Sequence, residues 1–121
     1  MRTIHRDVSA VSRTLGIGRA DLAGTRNAQG EIALFLVTGG APIAPLTIPV
    51  RAFGLAMGDD CIAVRDYGEH RGLSRILEAA GIAQMVSHDH AGGTLVAVMC
   101  VAGCLLAKIP AAQRPELTAA A

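Results

Sequence analysis

Aromatic residues are nearly missing from this chain: no tryptophan, one tyrosine and two phenylalanines, 2% of the composition. That scarcity argues against the stacking platform of a single-stranded nucleic-acid binder. It also hands the core to Ala, Val, Leu and Ile, because apolar residues still make up 51% of the chain. Charge of one sign is missing too. Eleven basic and ten acidic residues leave a formal net charge of +1. Their even spread offers no clustered basic face, so direct nucleic-acid binding is not expected. Arg supplies ten of the eleven basic side chains, which suits carboxylate or phosphate pairing and also follows from coding in a GC-rich genome. No CxxC or HExxH motif occurs, and Cys61, Cys100 and Cys104 make an odd count. With no charged-then-apolar leader, the expectation is a cytoplasmic chain with reduced thiols packed in apolar runs. The membrane suspect, Thr94 to Ala107, is fourteen uncharged residues, short of the roughly twenty that span a bilayer. No membrane association is expected.

What is present is best organised from Asp66 to Gly81. Asp66 and Glu69 have the spacing of a capping box. Leu73, Ile76, Leu77 and Ala80 fall on one helical face, and Gly81 stands where a left-handed residue ends a helix. The spacing predicts one short helix over about 67–80. Gly72 lies inside it, where Gly costs about 0.5–1 kcal/mol relative to Ala, so a close approach of the sheet or a partner is expected there.

At 121 residues the chain is expected to form one α+β domain over 1–110, followed by a frayed Ala/Pro-rich tail over 111–121. Met1 to Gly18 reads either as a second helix, with Val8, Val11 and Leu15 as its stripe and Asp7 or Ser9 as cap, or as a strand; the helix is preferred. Gly16, Gly18 and Gly24 read as loop markers, and Thr25 to Gly30 as a turn. Ile32 to Val37 and Ala41 to Val50 flank Gly39-Gly40 as hairpin arms, the second at an edge or irregular because Pro42, Pro45 and Pro49 lack a donor. Cys61 to Arg65 is a third strand, Ile82 to Val86 a short one, and Ser87 to Gly93 a polar turn. Leu95 to Val101 is apolar on both faces and therefore central, and Leu105 to Ile109 adds a strand or a turn. The resulting fold is a mostly antiparallel sheet of four to five strands with the helix on one face.

Several of these segments resemble one group of small proteins of bacteria, plasmids and phages. Leu34-Phe35-Leu36-Val37, Gly40-Ala41-Pro42-Ile43-Ala44 and Leu46-Thr47-Ile48 are similar to its opening, L-x-L-V…G-x-P-Y-A-x-L-T-V. Val64-Arg65-Asp66-Tyr67-Gly68-Glu69, Gly72-Leu73, Leu77 and Ala80-Gly81-Ile82 follow its V-K-D-Y-S-E-N-E-G-M…L…A-G-I-V, and the run from Gly93 to Cys100 its G-F-V-E-V-P-V-C. The similarity covers about residues 31–101. His70 and Arg71 depart from the group's Asn and Glu, Gly68 replaces Ser, Thr94 an aromatic and Ala97 a polar residue. The resemblance implies a fold and a mobile-element context, and no reaction.

Two classes of function remain. The leading expectation is a small non-enzymatic interaction protein of a phage or mobile element that binds, and in one version inhibits, a host protein such as a CRISPR or restriction defence complex. Its partner-binding residues are Glu69, His70, Arg71, Ser74 and Arg75, with Arg71, Ser74, Arg75 and Glu78 on the helix's outer face. No cofactor is assigned. The alternative is an enzyme or a metal- or ligand-binding domain using Glu69, His70, His88 and His90. His88-Asp89-His90 has a His-x-His spacing that a metal can use, set against a plain solvated turn. A third reading is a homodimer through an edge strand.

Overall fold

Strands close in sequence tend to pair with each other, and in the N-terminal half each strand pairs with the next one along the chain. In the computed structural model, which describes residues 2–27, 30–48, 60–66, 70–91 and 94–110, β1 (Arg2–His5), β2 (Asp21–Arg26), β3 (Ile32–Thr38) and β4 (Ala41–Pro45) form an antiparallel sheet in chain order. Helix α1 (Ser9–Thr14) lies between β1 and β2. The second sheet holds β5 (Cys61–Arg65), β7 (Thr94–Val101) and β6 (Ala83–Ala91) in that order, with α2 (Leu73–Ala79) connecting β5 to β6. A final turn of helix, α3 (Gly103–Leu106), follows β7. The α+β class and the antiparallel pairing are as expected. Among the described residues the strands are seven, split between two sheets, because β1 and β2 occupy ground read as helix and loop.

The two sheets are stitched by residues 46–48. Leu46 donates its N–H to Leu34 O in the first sheet (2.8 Å), and Ile48 donates to Ala63 O in the second (2.9 Å). One apolar cluster spans both, with Leu22, Leu34 and Leu36 from the first sheet and Ile62, Val64, Ala97 and Met99 from the second. Leu73, Leu77 and Val11 add the inner faces of the helices. Burying a Leu or Ile side chain contributes about 1.5–3 kcal/mol, so this aromatic-poor core rests on many mid-sized contributions.

Three edge strands, β1, β4 and β6, each contain one extra residue. The register steps from Thr3↔Ala23 to His5↔Leu22 around Ile4, from Leu36↔Ala44 to Val37↔Pro42 around Ile43, and from Met85↔Met99 to Ser87↔Val98 around Val86. Ile4 turns into the core, whereas Ile43 and Val86 are exposed. Bulges of this kind twist an edge and discourage pairing with another chain. Pro42 and Pro45 blunt β4 further, as their placement at an edge predicts.

Several local expectations change. Of the segment Met1 to Gly18, the described part, from Arg2, contains both readings in series, β1 and then α1. Ser87 to Ala91 is strand rather than turn, since β6 pairs with β7 through Ala91↔Thr94. Leu105 to Ile109 is helix and turn. Helix α2 starts at Leu73 instead of about 67, and Gly72 stands at its threshold with φ +83°; a Cβ there would meet nothing within 4 Å. Its role is the left-handed conformation and not close approach. Close approach belongs to Gly24 in β2, where a Cβ would lie 3.2 Å from both Ile109 and Leu34. The tail 111–121, Pro49 and Val50 fall outside the described residues.

Candidate functional site at the start of α2

A helix leaves its first N–H groups unpaired, and here one remote carboxylate collects them. Asp66, just after β5, accepts from Gly72 N (3.0 Å) and, at a longer 3.4 Å, from Ser74 N. The Ser74 hydroxyl donates to its other oxygen at 2.7 Å. Asp66 therefore serves as cap, as the sequence suggests, but across six to eight residues; Glu69, the other half of the expected box, lies outside the described residues. Ser74 is 1% exposed, which overturns its expected place on the outer face. With its hydroxyl held by Asp66, it organises the helix start from within.

His88 completes the cluster, with Nε2 3.5 Å from Asp66 Oδ2. The bulge at Val86 makes this possible. His88 pairs opposite Ala97, and Met85 opposite Met99, so these residues three apart share the face that carries the core and α2. Strict alternation would have turned His88 to the opposite face. Burial pushes the Asp66 carboxyl up, but the hydrogen bonds from the Ser74 side chain and N–H, His88 and Gly72 together outweigh it. The net effect holds the group below its ordinary 3.8.

The order of these groups decides their chemistry. A serine nucleophile needs a base beside its hydroxyl and an orienting acid beyond that base. Here the carboxylate stands between serine and histidine, and the serine is buried. The arrangement fixes a helix and charges its threshold; it does not relay a proton from Ser74.

The remaining candidates are distributed around this anchor. His70 is half-buried in the turn before α2, and Arg71 and Arg75 are exposed. Among the described residues, neither Arg71 nor Arg75 has a carboxylate within ion-pair distance. Glu78, on the same helix, accepts from Met85 N (3.0 Å) and so ties α2 to β6. The His90 side chain lies outside the described residues, and His88 is engaged with Asp66. The one group of three potential metal ligands among the described residues is elsewhere, at Asp60, Cys61 and Cys100. The cysteines also depart from the expected core: Cys61 and Cys100 are half-buried and Cys104 is exposed. Strand register, which spacing alone does not reveal, is what brings Cys61 and Cys100 together.

Among the described residues no helix is long and apolar enough to cross a membrane. Comparison with protein-family models, curated proteins and solved structures finds no match to the chain.

Proposed function

We propose that the chain is a small, cytoplasmic, non-enzymatic interaction protein that grips an acidic surface on a host protein through Arg71 and Arg75. The concrete version is inhibition of a CRISPR or restriction defence complex. The carrying observation is the pair of exposed guanidinium groups at a helix start that Asp66 holds in place. Arg presents a planar fork of donors that pairs with carboxylates bidentately, and a pre-ordered mount lowers the entropy lost on binding. A foreign surface fits better than a second copy joined edge to edge, because three of the four edge strands, β1, β4 and β6, carry a bulge, and Thr47 and Ile48 already pair along the fourth, β5.

The test is a pull-down from host lysate with the wild type and with Arg71→Ala/Arg75→Ala. Retained partner should fall by roughly tenfold or more, the size of one or two charge-assisted hydrogen bonds, while circular dichroism stays unchanged. A double variant that retains the same partner as well as the wild type ends this reading.

A further inference from the structure

The far end of the second sheet holds an arrangement that the helix start does not use. Cys61 opens β5 and stands directly opposite Cys100 on the central strand β7. Their sulfurs are 3.5 Å apart. Asp60 precedes Cys61, and its Oδ1 lies 3.6 Å from the Cys61 sulfur. Its backbone carbonyl accepts from Val101 N at 2.9 Å, which holds Asp60 alongside β7. The three ligand atoms all lie within 4.8 Å of one another.

These separations can be set against the two things that paired thiols do. A disulfide requires the sulfurs to close to about 2.05 Å. A tetrahedral zinc ion, with bonds of about 2.3 Å to sulfur and about 2.1 Å to a carboxylate oxygen, places two sulfurs about 3.8 Å apart and sulfur and oxygen about 3.6 Å apart. The sulfur–sulfur spacing of 3.5 Å and the Cys61 sulfur–Asp60 oxygen spacing of 3.6 Å match the second figure set to within a few tenths of an ångström, and the third pair lies within 4.8 Å. We infer that Asp60, Cys61 and Cys100 form a three-ligand site for a zinc-class divalent cation. Two of the donors sit on paired strands, so the site is supported by the sheet rather than by a free loop.

Binding converts both thiols to thiolates and sends two protons to solvent. The divalent ion with two thiolates and one carboxylate carries a net single negative charge. The fourth position is open. Asp60 is exposed and both cysteines are half-buried, and Cys100 also lines a cleft with Glu78, Gln84 and Gly103. Water or a small donor reaches the ion from there, the layout of zinc sites that are not closed structural ones.

Cobalt is the optical probe. The reduced, purified chain is titrated with Co²⁺ and then with Zn²⁺. The expected result is a near-ultraviolet thiolate-to-cobalt band with the visible bands of four-coordinate cobalt, saturating at one equivalent and bleached by zinc. Cys61→Ser and Cys100→Ser should each abolish the bands, Cys104→Ser should keep them, and Asp60→Asn should weaken binding while leaving the thiolate band. Alkylation of the zinc-loaded wild type gives a second readout should the serine variants misfold: Cys61 and Cys100 protected, Cys104 modified. Three results would overturn the inference: no cobalt band, bands that depend on Cys104 alone, or a Cys61–Cys100 disulfide forming with no metal taken up.

Discussion

Helices α1 and α2 end alike and begin differently. Each stops in the same two-bond motif. Gly16 N donates to Arg13 O and Ile17 N to Ser12 O, just as Gly81 N donates to Glu78 O and Ile82 N to Leu77 O. In both, the left-handed glycine is followed by an apolar residue packed toward the core, the full Schellman pattern. Each helix also buries one serine. Ser12 satisfies its hydroxyl on the carbonyl of Ser9, within its own turn, while Ser74 reaches out of its helix to Asp66. An aspartate stands ahead of each helix as well. Asp7 is exposed and takes the Ser9 hydroxyl, and no side chain caps α1. Asp66 is half-buried and gathers the start of α2 and His88. A capped end can thus come from local chain geometry alone, whereas an anchored beginning here needs a residue from another element.

This contrast can be broken by experiment, and Asp66→Ala should have the largest effect. It removes the acceptor of a buried hydroxyl and of two N–H groups, so urea unfolding at neutral pH should show a loss of about 2–3 kcal/mol; a loss below about 0.5 kcal/mol would erase the difference between the two helix starts. The same variant reports the pH dependence. The folded-state carboxyl is held below its ordinary 3.8, so its stabilisation is present above that value and is lost as pH falls through the folded one. The gap between wild type and Asp66→Ala should therefore hold steady down to about pH 5 and close under more acidic conditions. A gap that widens with acid would contradict the assignment.

Gly16→Ala and Gly81→Ala come next. With φ of +70° and +74° and nothing within 4 Å of a new Cβ, each substitution should cost about 1–2 kcal/mol from backbone strain alone. Equal thermal shifts at the two sites would sharpen the likeness of the helix ends. His88→Ala should cost only about 0.5 kcal/mol, since the imidazole is half-exposed and its pairing with Asp66 is screened. Smallest of all is Asp7→Asn, for which differential scanning calorimetry should detect no shift; a drop as large as that of Asp66→Ala would make the two starts equivalent.

The parts of this fold readable in advance are those where one physical cause acts. Cys61–Arg65, Ile32–Thr38, the central β7 and the Gly81 stop each follow from burial pattern or turn chemistry nearby. β2 escaped because Gly24 carries the same letter as a loop glycine, although its role is to admit Ile109, Leu34 and Ile4 side chains. Gly72 escaped in the opposite sense. Of the candidate site, Asp66 was legible as a cap and Arg71 and Arg75 as exposed cations. Ser74's burial and the approach of His88 were not, since both depend on where a neighbouring strand runs. The pairing of Cys61 with Cys100 was hidden for the same reason.

The extra residue at Val86 divides β6 into two segments of opposite phase. Ala83 and Met85 serve the core in one phase, and His88 reaches Asp66 in the other. Exchanging Val86 for another side chain leaves both phases intact. Deleting it forces one segment to invert, so either Met85 leaves the core or His88 leaves the helix start. This strand tolerates a change of letter at 86 far better than a change of length.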